Sequence, residues 1–170
     1  MPKIFKKITN KNLLILLLAA SVSALTLAYI SQYFFGFEPC TLCFYQRKPF
    51  FAIIAAAALT LTYFKSEKSK RIALYFCTFF LFVNFSIAIY HSGVEQKIFK
   101  GPTTCSSESL NHAENLEDLK NILLKTKAVR CDKPSFVFLG LSMASWNAIY
   151  CLTLLFYIAF VRYKRRSTPL

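Results

Sequence analysis

Four stretches of the chain are apolar enough to span a bilayer and carry no charge at their centres: 13–35, about 44–64, 72–90 and about 143–161. Each falls within the roughly 17 to 25 residues that a helix needs to cross a bilayer. The polar connections 36–43 and 65–71 are so short that consecutive helices must be antiparallel neighbours. The pattern predicts an all-α membrane protein, a single membrane domain over 1–170 built as a four-transmembrane-helix bundle. One longer polar segment remains, 91–142. Within it Gly101-Pro102 marks a turn and Asn111-His112-Ala113-Glu114 reads as a capping box. Leu116, Leu119, Ile122 and Leu123 then form one stripe, which predicts a short amphipathic helix lying on the outer leaflet.

Composition agrees with this pattern. Of the 170 residues 55% are hydrophobic, 16% aromatic and only 17% charged, against about a quarter charged in soluble domains. Four Gly and six Pro argue against collagen-like or low-complexity chains, and no glycine-rich phosphate loop is present.

The net charge of +13 would suggest nucleic acid if it were spread evenly. It is not. Lys3, Lys6, Lys7 and Lys11 precede the first span, Lys65, Lys68, Lys70 and Arg71 fill the short turn, and Arg162, Lys164, Arg165 and Arg166 follow the last span. Only Glu67 opposes them, whereas the other side nearly balances its nine basic residues with seven acidic ones. By the positive-inside rule both termini are cytoplasmic, and the loops 36–43 and 91–142 face outward. The charge is a topology and lipid-anchoring signal, and nucleic-acid binding is not expected. Basic residues, an LLILLLAA run and Val22-Ser23-Ala24 also resemble a cleavable signal peptide. Because the hydrophobicity continues to Phe35, the expectation is an uncleaved first helix.

Six cysteines then carry the chemistry. Cys40 and Cys43 form a C-x-x-C in the first outer loop, Cys105 and Cys131 lie in the second, and Cys77 and Cys151 lie inside spans, where they are expected to pack. On the oxidising side disulfides persist, and four cysteines permit three pairings; proximity favours Cys40-Cys43, leaving Cys105-Cys131. Haem attachment is excluded because Phe44, not His, follows Cys43. A zinc clip using the loop cysteines lacks a second C-x-x-C or a His pair, and no metal is expected. A staple across two residues removes little chain entropy, so redox work is the better use of this pair.

Pro39 suggests that Cys40 and Cys43 occupy the first turn of the second span, where helix-end N–H groups favour a thiolate. Arg47 follows on the same face, while Pro49 introduces a possible kink. Alone, Arg47 and Lys48 would be a snorkelling pair contacting lipid phosphate. Two adjacent disulfides move electrons in pairs, and with no flavin, haem or iron-sulfur fingerprint a membrane quinone is the acceptor by elimination.

The run Pro39-Cys40-Thr41-Leu42-Cys43-Phe44-Tyr45-Gln46-Arg47, the four spans and the loop pair Cys105 and Cys131, in this order, resemble the DsbB family of bacterial inner-membrane disulfide bond formation proteins. The resemblance implies a protein-dithiol:quinone oxidoreductase. Cys105/Cys131 would take electrons from a periplasmic DsbA-like thioredoxin-fold oxidase, with Cys105 forming the mixed disulfide. Cys131 would attack Cys40, and Cys43 would stand next to ubiquinone or menaquinone with Arg47 stabilising its reduced state. His91 falls where the family has a quinone-proximal histidine, although a pairing with Glu95 explains it equally well. Gln46, Asn84 and Asn147 are expected to hydrogen-bond between helices.

The outer loop has no Trp, the only one being Trp146, so the partner's docking surface is not carried over. Three rivals share parts of this pattern: a vitamin K epoxide reductase-like bundle, whose C-x-x-C comes after the loop pair, a structural scaffold, and a thiol reductase running in the opposite direction.

Overall fold

The computed structural model describes residues 8–101, 130–132, 134 and 136–167. Cys105 and the expected amphipathic helix lie outside the described residues. Among the described residues four long helices form the bundle: α1 (Asn10–Tyr33), α2 (Thr41–Tyr63), α3 (Glu67–Glu95) and α4 (Met143–Arg166). All four are long and apolar enough to cross a membrane. At 1.5 Å per residue even the shortest, α2 with 23 residues, exceeds the roughly 30 Å hydrocarbon core.

Local signals set the helix ends. Thr9 caps α1 by accepting from the Asn12 N–H, and Ser66 caps α3 by accepting from the Lys68 N–H. Because capping serine and charged residues extend the helical run, α3 continues past the apolar stretch 72–90 at both ends. α2 runs unbroken through Pro49, which is buried within it. A membrane bundle accommodates the missing N–H because neighbouring helices support the freed backbone.

The interior is built from Leu13, Leu14, Leu17, Ile53, Leu74, Leu81 and Ile158, all essentially inaccessible. Cys77 and Cys151 are fully buried in the same core, with Cys77 Sγ 3.9 Å from the Ile53 carbonyl. Large apolar side chains also cover the outside: Leu27, Phe79 and Phe156 are each more than half exposed. That is unfavourable in water and natural in lipid, which solvates them as well as the core does.

What distinguishes the inside is its polar residues. Asn147 Nδ2 donates to Gln46 Oε1 at 2.9 Å and to Asn84 Oδ1 at 3.3 Å, tying α4 to α2 and α3. All three amides therefore do bridge helices.

One element departs from an all-α fold. Val137–Phe138 (β1) and Leu141–Ser142 (β2) pair antiparallel across Leu139 and Gly140, whose φ values are +52° and +77°. Two consecutive positive φ values give a turn whose twist matches that of the hairpin. The hairpin leads directly into α4, since Ser142 accepts from the Ser145 N–H as the helix cap. It is also tied to α3, because Ser142 Oγ donates to Glu95 Oε2 and the Ser92 and Ser145 hydroxyls are 2.8 Å apart.

Candidate functional site

The cysteine pair sits where the connection from α1 enters α2. Cys40 is the N-cap, extended at φ −76° and ψ 171°, and Pro39 precedes it outside the helix. The first-turn placement expected for both cysteines is thus corrected: only Cys43 lies within the first turn, because an N-cap residue is non-helical. The two residues stand as thiols, and Cys40 Sγ donates to Cys43 Sγ at 3.3 Å. Thiolate stabilisation at Cys40 is corrected as well. The hydrogen bond to Cys43 and then burial push its thiol up to about 12, against a smaller lowering by His91.

Residues distant in sequence close around this pair. His91, buried near the end of α3, places Nε2 3.4 Å from Cys40 Sγ. The same nitrogen is 3.7 Å from Glu95 Oε1 one turn on, the pairing expected of this histidine, and it also faces Cys40. Its other nitrogen, Nδ1, accepts from Gln46 Nε2 at 2.9 Å, which makes the histidine the outer end of the amide column. Cys131 joins from the second outer loop. It is buried in a small cluster with Cys40, Leu42 and Val94, against which Cys43 packs.

Arg47 turns inward, and this overturns the snorkelling alternative for it. It is 8% exposed, donates from Nη1 to Gln32 Oε1 at 2.7 Å, and lies 4.8 Å from the centroid of the Tyr29 ring and 5.2 Å from that of Phe44. Inside an apolar bundle a guanidinium needs such partners, because an unpaired buried charge is costly. Lys48, pointing the other way, is exposed with its ammonium 4.6 Å over Tyr45, as an interfacial lysine should be. Gln32 and Tyr29 were not anticipated; the only signal was a glutamine near the outer end of an otherwise apolar span.

These groups meet at a cavity of about 460 Å³ between α1, α2 and α4. Cys40, Cys43, Arg47, His91 and Glu95 are among its polar positions, with Glu38, Gln46 and Asn147, and its remaining walls are largely apolar, Phe50, Phe136 and Trp146 among them. A mostly apolar pocket with a few convergent polar groups is the usual form of a small-molecule site. An apolar ring carrying two carbonyls fits this donor set, since Arg47 and His91 can hydrogen-bond oxygen while the walls take hydrocarbon.

A sequence model of the family described as Disulfide bond formation protein DsbB matches residues 10–161, nearly the whole chain. The chain belongs to the DsbB family. It is 27% identical over 138 residues to a disulfide bond formation protein B of Acinetobacter baylyi, covering 79% of this chain and 80% of that one. A second protein of that name, from Blochmanniella floridana, is 26% identical over 142 residues, 81% of this chain and 79% of its own length. An uncharacterised protein of Rickettsia prowazekii is 28% identical over 163 residues, 95% of this chain and 93% of that one. Membership in the DsbB family and the adjacent cysteine pair give this membrane protein an oxidoreductase theme centred on disulfide formation.

Proposed function

We propose that the protein oxidises the dithiol of a periplasmic DsbA-like thioredoxin-fold protein and passes the electron pair to membrane quinone, sustaining disulfide bond formation in exported proteins. The observation that carries this reading is the packing of Cys131 and the Cys40/Cys43 pair in one cluster at the edge of the apolar cavity. Loop cysteine, C-x-x-C and cavity thus form a relay.

In that relay the Cys105–Cys131 disulfide is attacked by a partner thiolate, a mixed disulfide forms at Cys105, and the partner's second thiol resolves it. The loop pair leaves as a dithiol. Cys131 then attacks Cys40 of an oxidised Cys40–Cys43 disulfide, Cys43 departs as the leaving thiolate, and Cys105 resolves the new bond to restore the loop disulfide. Leaving at Cys43 is favoured by its first-turn position and by Arg47 one turn along the same helix. When bound, a quinone accepts two electrons and two protons, so the net change is one partner disulfide formed per quinone reduced. Arg47 and His91 would hold its oxygens, and the apolar walls would exclude water from the exchanging sulfurs.

Anaerobic stopped-flow absorbance tests this directly, using the full chain in detergent, a reduced DsbA-like partner and a soluble ubiquinone or menaquinone analogue. The expected result is quinone loss matched one to one with partner disulfide, and none with Cys43→Ser. Partner oxidation without quinone loss, or quinone loss that survives Cys43→Ser, would overturn the reading.

A further inference from the structure

In the dithiol state the C-x-x-C has a third donor beside it that the loop cysteines do not supply. Cys40 Sγ, Cys43 Sγ and His91 Nε2 all lie within 4.8 Å of one another, with two of the separations at 3.3 and 3.4 Å. Sulfur and nitrogen ligands on one tetrahedral zinc ion stand roughly 3.5 to 3.8 Å apart, given metal bonds of about 2.3 and 2.0 Å. Those two edges need to open by only tenths of an ångström, and the third, from Cys43 Sγ to His91 Nε2, lies within 4.8 Å. We propose that the reduced Cys40/Cys43 pair and His91 form a zinc site, present only in the dithiol state and closing the path between the C-x-x-C and the cavity.

Three observations carry it. The first is charge: a zinc ion that replaces the two thiol protons leaves the net charge among the largely apolar walls unchanged. Zinc replaces one proton on each thiol, the two protons pass to solvent, and no electron moves. The second is the fourth position. Glu95 Oε1 lies 3.7 Å from His91 Nε2 on the cavity side, while its other oxygen is held by Ser142; it stands outside the grouping of the three donors, so the tetrahedron is completed by this oxygen after a side-chain rotation or by water.

The third is the shell behind the histidine. Ligation through Nε2 requires the ring proton on Nδ1 and an acceptor facing it, as metal-bound histidines have. Gln46 now presents Nε2 there, but an amide offers its oxygen by turning over. Asn147 and Asn84 turn with it. In the present arrangement Asn84 Nδ2 is fully buried and, among the described residues, has no hydrogen-bond partner. In the reversed column that nitrogen donates to Asn147 Oδ1, and the Asn84 oxygen takes the position that lacks a partner, so a bare N–H is exchanged for a bare carbonyl oxygen.

Formation of the Cys40–Cys43 disulfide removes both thiolate ligands, which makes the site sensitive to redox state. Its effect as a reversible brake rests on the proposed thiol-to-quinone function, whereas the binding itself does not. Cobalt is the probe, added to the reduced full chain in detergent with Cys131→Ser, so that this third cysteine of the cluster supplies no ligand. The expected result is one cobalt per chain with the d–d absorption of a tetrahedral thiolate site, displaced by one zinc and absent after oxidation to the disulfide. His91→Ala should weaken binding by more than about tenfold and His91→Cys should restore it, while Gln46→Leu, which removes the acceptor, should cost about tenfold.

Absence of stoichiometric binding, binding that persists in the oxidised chain, or binding unchanged by both His91→Ala and Gln46→Leu would overturn the proposal. In the unmodified chain zinc should slow quinone reduction and a chelator should reverse this. Tight zinc binding to a chain that never reduces quinone would leave the site standing and sink the functional reading, and normal turnover without binding would do the reverse.

Discussion

At the residue scale the site depends on buried polar groups held by specific partners. Arg47 combines a 2.7 Å hydrogen bond to Gln32 with two aromatic rings, a setting that a planar guanidinium fills and an ammonium does not. Arg47→Lys keeps the charge and loses the stacked fork. Since hydrogen bonds to charged groups contribute about 1.5–3 kcal/mol, quinone-linked turnover should fall by roughly 10- to 100-fold. Thiol exchange at the loop pair should be unaffected, and stopped-flow traces with and without quinone separate the two. Equal loss of both would show that Arg47 only supports folding.

The Cys40 thiol offers a second test at this scale. Its largest raising influence is the hydrogen bond to Cys43, so Cys43→Ala should lower its pKa from about 12. A raised thiol pKa means less thiolate at any pH below it, and lowering it shifts the onset of Cys40 alkylation to lower pH. Peptide-resolved mass spectrometry after iodoacetamide treatment across pH 7 to 10 reads that onset; an unchanged onset would mean that burial alone holds the proton. Cys40, Cys43 and Arg47 were legible in the sequence because their relation is local, three and four residues along one chain segment. Gln32 and Tyr29 were not, since they meet Arg47 only when α1 packs on α2, and no spacing rule encodes that register.

At the scale of elements, the last turn of α3 shows how the second outer loop begins. A Cβ on Gly93 would fall far inside contact distance of the Phe99 ring, and Phe99 also stacks on Tyr90 at 5.8 Å. The chain doubles back there through hydrogen bonds from the Ile98 and Phe99 N–H groups to the Gly93 carbonyl. Gly93→Ala should therefore cost about 1–3 kcal/mol by overpacking. Adding Phe99→Ala should relieve most of that cost, so a double-mutant cycle followed by thermal unfolding in detergent should give a clearly favourable coupling. Additive losses would mean that the ring does not hold this position.

The hairpin offers the opposite sign. Leu139, 77% exposed with φ +52°, pays for a left-handed backbone without burying its side chain. Leu139→Gly should raise stability by up to about 1 kcal/mol in the same assay, and a loss would show that the side chain has a partner in the membrane or outside it. Periodicity gave no hint of this hairpin, because strands of two residues carry no alternation to detect. The four helices, by contrast, were legible from hydrophobic length alone. Their exact ends were not, since capping by Thr9 and Ser66 and the continuation of α3 to Glu95 depend on side chains beyond the apolar runs.

At the scale of the whole molecule the two ends of the bundle differ in kind. One end gathers Cys40, Cys43, His91, Cys131 and Ser142, tied across loops by short polar contacts. The other gathers the basic turn and the basic end of α4, where Arg165 donates to Asn10 Oδ1 at 2.9 Å and Arg162 lies 4.2 Å over the Tyr75 ring. Sorting of charge along the sequence has thus become sorting between the two ends of the bundle. Lysine and arginine resist translocation, so the basic end should stay in the cytoplasm and the cysteine end should meet the oxidising compartment, where thiol chemistry has an oxidised partner.

Labelling of intact cells checks this without relying on turnover. With the native cysteines replaced, a cysteine introduced at exposed Phe138 should react with a membrane-impermeant maleimide. One introduced at exposed Lys68 should react only after the cells are opened. The reverse pattern would put the C-x-x-C in the reducing cytoplasm and would remove the basis for disulfide export, whatever the geometry of the site. Labelling at both positions in intact cells would deny that the four helices span the membrane as a single bundle.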